Sequence, residues 1–411
     1  MKKMNKLFKN SIIFIAIVIF IMGFSSSYSS LSIDNLAYVL AIGIDTASDN
    51  TLEVSFQFST PVSASEGGSS EKPTAIINTV TASSLSNAIN LVNGYLGKQI
   101  NMSHCKVIIF SEELATQGIS DEIYTLINDS QIRPSTNVVI SKCSAKYYLE
   151  QTQPELETLI SKYYEIFANS SEYTGYMPCA TIGSFFNSLT CPTCQSYGIL
   201  GGVQIDTSNQ QTGETNSQKD YSLKANNSSI SGKNGAENIG VAVFRADKLV
   251  GELDAIETIA FLNIRNQIER FLISIPDPLN NGDYLDIYMS PVKTTEIKVD
   301  TSTPTPYISV KLKFAGRIYS MSENAKYLSP EILDKISNNC NSYLESTFKD
   351  YLYKTSKEFK SDINDFGTSS LKNFFTDKEY KEYNWHENYK NAFFDVEVDT
   401  SIKSGMLLTE T

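Results

Sequence analysis

Histidine is nearly missing from this 411-residue chain: His104 and His386 are the only two. They lie in different regions, and neither stands at ligand spacing from a second His or a Cys. His104 and Cys105 are neighbours, and adjacent strand residues point to opposite faces. A structural or surface role is expected for both histidines, and no metal site. Arginine is confined to positions 133, 245, 265, 270 and 317, and no basic stripe forms. With 46 acidic against 34 basic residues the formal charge is −12, which repels nucleic-acid phosphates and excludes that class of partner. The nucleophile elbow G-x-S-x-G, the phosphate loop G-x-x-x-x-G-K-[ST] and the fingerprint G-x-G-x-x-G are all missing. Glu112-Glu113 is accounted for by helix-terminus electrostatics, so a catalytic acid/base pair is not required to explain it. No catalytic, cofactor-binding or metal-ligating residue is assigned, and the chain is not expected to be an enzyme.

Long hydrophobic runs are as scarce. The one long apolar stretch reaches from Ile12 to Phe24, behind Lys2, Lys3, Lys6 and Lys9. A positive segment before an apolar one is the pattern of an export signal. As a helix the run covers about 20 Å, short of the roughly 30 Å of a bilayer core. That length favours cleavage; an uncleaved anchor that recruits Leu7 and Phe8 is the alternative. Cysteine is limited to 105, 143, 179, 191, 194 and 340, too few for a dense disulfide framework. Cys191-Pro192-Thr193-Cys194 has redox or half-zinc spacing, but no second pair exists and it follows Phe185 to Thr190 rather than a strand. It is expected to form a local structural disulfide. Cys105, inside an apolar run, is expected to be a buried small hydrophobe.

What remains is patterned for a mixed fold. Leu36 to Ile44 reads as a buried strand, and Leu52, Val54, Phe56 and Phe58 alternate as a half-wet one. Ser63 to Thr74 reads as a loop. Leu85, Ala88, Ile89, Val92 and Leu96 recur at helical spacing behind a Ser83 or Ser84 cap. Val107 to Phe110 is a short strand, a helical turn follows from Ser111 and stops at Gly118, a helix runs from Ser120 to Asn128, and Val138 to Ile140 is a strand. Helical patterns continue through Leu149, Leu156, Ile160 and Phe167. Residues 206–238 are Asn-, Ser-, Gln-, Gly- and Lys-rich and read as a mobile surface insertion. A hairpin (Ile239, Val241, Val243; turn Ala246-Asp247; Leu249-Val250) opens the last region. A helix follows from Asp254, with strands near Tyr284 to Tyr288 and Ile308 to Phe314. Ser329-Pro330-Glu331 starts a long helix whose stripe from Ile332 to Leu352 reads as a core face. Phe393 to Val398 closes the chain as a strand.

Several ordered segments resemble the Ger(x)C family, the C subunits of spore germinant receptors. They are Ile33-Asp34-Asn35-Leu36-Ala37 with Ala41-Ile42-Gly43-Ile44-Asp45, and His104 to Ala115 followed by Gly118-Ile119. Arg133, Ala242 to Gly251, Glu257-Thr258, Gly316-Arg317-Ile318 and Ser361-Asp362-Ile363 to Phe366-Gly367 continue the series. The likeness spans nearly the whole chain after residue 31. It implies three α/β-type domains with mixed sheets, and a protein held outside the cytoplasmic membrane of the dormant spore. Implied partners are two integral membrane subunits, A and B, one of them transporter-like. The family's lipobox ends in an acylated Cys. Here Ile21-Met22-Gly23-Phe24 matches its shape, and phenylalanine cannot form the thioether.

The expected fold class is therefore α+β (mixed α/β), with mixed sheets flanked by helices and a long C-terminal helix. The expected divisions are an export signal or N-terminal anchor over 1–30, an N-terminal α/β domain over 31–170, a middle region over 171–238 and a C-terminal α/β domain over 239–411. The expected role is a non-enzymatic subunit of a membrane-bound nutrient receptor, needed for assembly and signal coupling in spore germination. It would sit on the extracytoplasmic face of the spore inner membrane without a lipid at residue 24. Contact with the nutrient itself is left open. The competing class is an exported solute-binding or cell-envelope protein acting without a membrane complex.

Overall fold

The computed structural model describes residues 13–18, 35–59, 75–157, 159–204, 223–228, 230, 232–278, 283–320 and 329–403. The lipobox-like stretch, the loop expected over 63–74 and residues 206–222 of the insertion lie outside the described residues.

Strands β1 (Leu36–Thr46), β2 (Leu52–Phe58), β3 (Ile76–Ala82), β4 (Gln99–Asn101), β5 (Val107–Ser111), β6 (Asn137–Ser141), β7 (Tyr197–Val203), β8 (Ala236–Arg245) and β9 (Lys248–Leu253) form one sheet. Its order is β3-β2-β1-β5-β6-β7-β8-β9, with β4 beside the start of β1. The middle strands β1, β5, β6 and β7 run parallel, and the outer pairs on both sides are antiparallel. A parallel centre must be covered on both faces, which is why Val39 to Ile44 and Val107 to Phe110 are apolar without a break. Ile108, Phe110, Val138 and Ile140 face helices Leu85–Leu96, Glu112–Gln117, Ser120–Asn128 and Ile182–Thr190. Val107, Ile109 and Val139 face the other way, into a core that runs through the helix Ala255–Ile264 into a second sheet. The helix caps follow the sequence: Ser84 Oγ accepts from Asn87 N, Ser111 Oγ accepts from Leu114 N, and Gly118 ends its helix at φ 124°.

The second sheet holds β10 (Phe271–Pro276), β11 (Tyr284–Pro291), β12 (Glu296–Asp300), β13 (Tyr307–Ser320) and β14 (Phe393–Lys403). β11 and β12 share one side of the long β13, and β14 runs parallel along the other. The helix Pro330–Tyr353 packs beneath it through Ile336, Cys340, Leu344, Phe348, Tyr351 and Leu352, the core face expected from the sequence. Mixed sheets with flanking helices make this an α+β fold.

The long helix also covers the free edge of β14. Val398 N donates to Glu345 Oε1 (3.0 Å), Thr400 N to Asn341 Oδ1 (2.9 Å) and Ile402 N to Ser337 Oγ (3.4 Å). Exposed strand edges invite foreign strands, and here side chains four apart on a helix occupy main-chain donors two apart on a strand. Replacing Asn341 by Ala strands the Thr400 amide and is expected to cost about 1–3 kcal/mol in denaturant unfolding, with faster amide exchange at Thr400.

Some expectations change. The hairpin placed at the head of the last region is hydrogen-bonded into the first sheet as β8 and β9. β8 starts at Ala236, so residues 236–238 of the expected insertion are strand. Leu156 is outside any helix and 98% exposed, so the helical pattern does not run through it. β3, β4, β7, β10 and β12 were not anticipated. β7 hides because three of its seven residues are glycine; a Cβ on Gly201 would stand 2.5 Å from Val139 Cγ1.

Candidate functional site

His104 is exposed ahead of β5, its ring 4.8 Å from that of Tyr38. His386 Nε2 donates to the Pro192 carbonyl (3.0 Å) and Nδ1 accepts from Gln195 Nε2 (3.2 Å), a tautomer fixed by the carbonyl's inability to donate. Among the described residues no group of three or more His, Cys, Asp or Glu side chains could hold a metal. Glu112 and Glu113 head a short helix beside a cleft of about 630 Å³ at the carboxyl ends of β1, β5 and β6. The buried Asp45 in that cleft accepts from Ala145 N (2.7 Å) and Lys146 N (3.1 Å), and burial pushes its carboxyl above the ordinary range. These are helix-capping contacts; the Ser111 hydroxyl also bonds the Asp45 carboxyl, and the half-buried free Cys143 lines the same cleft, its thiol pushed up by burial.

The denser constellation is the seam between the sheets. Three segments resembling the family meet there: the β8–β9 hairpin, the start of helix Ala255–Ile264, and Ser361 to Gly367. Asp254 and Glu257 form a capping box, each carboxylate accepting the other's main-chain N–H at 2.9 Å. Lys354, where the long helix passes into a wide π-turn, donates to both Glu257 oxygens (2.8 and 2.7 Å). The Phe359 ring lies against Gly251 of β9, where an added Cβ would stand 2.1 Å from ring carbon. Ser361 Oγ donates to the Phe244 carbonyl of β8 (2.5 Å). Arg265 bonds the Ile363 carbonyl (2.8 Å) and Asp365 Oδ2 (2.6 Å), its guanidinium over the rings of Tyr197 and Phe261.

Asp362 is the hub of this seam. It is 1% exposed and accepts from Gly367 N (2.7 Å), Phe366 N (3.2 Å) and Trp385 Nε1 (2.9 Å). Burial pushes its pKa up to about 7, the nearby Asp365 adds to that, and the three N–H donors pull the other way. Cys191 and Cys194 are disulfide-bonded, as expected, and their loop is pinned across the seam. Thr193 Oγ1 meets Thr368 Oγ1 at 2.8 Å, and Gln195 Oε1 accepts from Ala246 N (2.7 Å) at the hairpin turn. Cys105 is buried and Cys340 lies in the core. Substituting both disulfide cysteines by serine opens only a small ring, because the loop keeps its other bonds. The expected cost is about 1–2 kcal/mol, with a denaturant midpoint insensitive to dithiol, unlike the parent chain.

Nothing in the sequence pattern marks a role for Ser361 to Gly367, Arg265 or Trp385. Their partners lie some hundred residues away or across a fold, and no local spacing marks them.

Residues 29–200 match the family described as "Spore germination protein N-terminal domain", and residues 239–405 match "Spore germination B3/ GerAC like, C-terminal". The chain is 21% identical over 381 residues to spore germination protein KC of Bacillus subtilis (strain 168), across 90% of this chain and 89% of the relative. Its fold is similar to the crystal structure of the GerBC protein, with a TM-score of 0.50 at 17% identity, covering 88% of this chain and 96% of that one. Matched to both family regions along most of its length, the chain belongs to the Ger(x)C family of spore germination proteins.

Proposed function

We propose that this chain is a non-enzymatic C subunit of a nutrient germinant receptor, assembling with integral membrane A and B subunits and coupling nutrient binding to the germination response. The observation that carries this reading is the seam. Three of the segments that resemble the family are spent on locking two sheets together, through Asp362, Ser361, Arg265 and the Glu257–Lys354 pair. A rigid joint of this kind transmits a displacement from one sheet to the other, which is what a coupling subunit needs. Attachment through the N-terminal segment is supported by Ile13, Phe14, Ile15 and Ile17, which lie on a helical stretch and are 50–68% exposed. No helix among the described residues is long and apolar enough to cross a membrane.

The test is the fall in optical density of purified spores after nutrient addition, with and without this chain. The expected result is loss of the response to one nutrient class while chemical triggers still work. Intact responses to every nutrient in spores stripped of sister receptors would overturn the reading. Co-purification from spore membranes should enrich the two integral membrane subunits.

A further inference from the structure

We propose that the amino-end rim of the first sheet, carrying Lys98, His104, Lys106 and Arg133, rests on anionic lipid headgroups and sets the orientation of the chain on its membrane. This rests on the membrane-associated reading above and adds which surface meets the bilayer. Strand polarity gathers the rim. β4, β5 and β6 all run parallel to β1, with Leu36 opposite Gln99, Ala41 opposite Val107 and Val107 opposite Asn137, so their first residues lie at one end. The segments that enter those strands are knitted together. Lys106 N donates to Leu40 O (2.9 Å), Thr136 Oγ1 to Cys105 O (3.3 Å) and Met102 N to Gln131 Oε1 (2.7 Å).

The charge of this end departs from that of the chain. Lys98, His104 and Arg133 are exposed, and Lys106 is half-buried, 3.7 Å from Glu165, which Lys162 approaches at 3.8 Å. Among the described residues, the acids near these side chains are Asp129, Glu165 and, beside Cys179, Glu172, against Lys98, Lys106, Lys162 and Arg133, on a protein whose formal charge is −12. The opposite ends of the same strands carry Asp45, Asp49, Glu53, Glu112 and Glu113 against Lys142 and Lys146. An anionic surface therefore attracts one end of the sheet and repels the other. Continuity names the occupant. The chain enters β1 at this same end, directly downstream of the Lys-rich, apolar N-terminal segment. Tyr38, against His104, adds an amphipathic ring of the kind favoured at bilayer interfaces. With phenylalanine where an acylated cysteine would stand, the basic rim supplies a second, electrostatic attachment beside the apolar segment.

The experiment uses the full chain reconstituted with phosphatidylcholine vesicles, with and without phosphatidylglycerol, followed by amine-reactive labelling read lysine by lysine by mass spectrometry. Labelling of Lys98 and Lys106 should fall about fivefold on anionic vesicles, while Lys146, Lys311 and Lys378 keep their rates. The double variant Lys98→Glu/Arg133→Glu, altered only at exposed positions, should float with vesicles but lose protection at Lys106. A chain that floats with Lys98 and Lys106 fully labelled, or with all lysines protected alike, overturns the rim alone. Protection that is equal on pure phosphatidylcholine overturns its electrostatic basis. A chain that never floats overturns the membrane reading, and the rim with it.

Discussion

Replacing Asp362 by alanine is expected to lower the unfolding free energy by about 3–5 kcal/mol, since three buried N–H donors lose their acceptor at once. The main-chain donors of Phe366 and Gly367 and the indole of Trp385 have no second acceptor positioned for them. Trp385 also carries the ring contacts to Tyr383 and Tyr389, so the loss spreads through the aromatic packing under β14. Equilibrium denaturation followed by tryptophan fluorescence reports this directly, because Trp385 is the only tryptophan. The deficit should depend on pH with a definite sign. The folded-state pKa is raised to about 7, against about 3.9 for an unfolded aspartate. The folded chain therefore holds this proton where the unfolded chain releases it, and the associated stability, full below about pH 4, is lost as pH rises through 7. Asp254, raised to about 6 chiefly by burial, acts in the same direction over a narrower window. The gap between the parent and Asp362→Ala should thus be wider at pH 5 than at pH 8. A gap that widens with pH instead would mean that the three donors hold the group ionised.

The second large effect is expected at Gly240. This residue sits in β8 at φ 106°, with its N–H donated to the Tyr176 carbonyl at 2.7 Å. A Cβ there would stand 2.4 Å from the Leu253 carbonyl oxygen and 3.1 Å from Leu200 Cδ2. The first obstacle is backbone, which cannot swing aside as a side-chain tip does. Backbone strain and overpacking each cost roughly 1–3 kcal/mol, so Gly240→Ala should destabilise by about 3–5 kcal/mol and sharply reduce soluble yield. Gly94 is the control. It lies within the helix Leu85–Leu96 with no atom within 4 Å of an added Cβ, so Gly94→Ala should stabilise by about 0.5–1 kcal/mol. Equal melting curves for the two variants would contradict the β8 geometry.

The contrast between what could and could not be read ahead follows from the range of the interactions. Ser84, Ser111, Gly118, Asp254 and Pro330 act within four residues, and each starts or stops its helix where the local pattern said it would. β1, β5 and β6 were legible because burial on both faces leaves an unbroken apolar run. β7 was not, because close packing against β6 had replaced its side chains with glycine. The hairpin was found but its sheet was not, since strand partners are chosen over distances at which sequence carries no register. The seam was invisible for the same reason. Asp362 needs Trp385, Arg265 needs Asp365 and Ser361 needs the Phe244 carbonyl, and nothing within a local window pairs them.

The ladder from the long helix to β14 behaves like a vernier. Four helical residues advance about 6.0 Å and two strand residues about 6.7 Å, so each rung slips by roughly 0.7 Å relative to the last. Ser337, Asn341 and Glu345 stay within reach of Ile402, Thr400 and Val398, and the residue next in line is Lys349, which has no lone pair to offer. Chemistry and geometry run out together. The half of β14 beyond Val398 is left without this cover, and it ends at Phe393, whose ring stacks on Tyr307 with both rings open to solvent. If the second sheet ever accepts an added strand, the arithmetic says at which end of β14 it would have to begin.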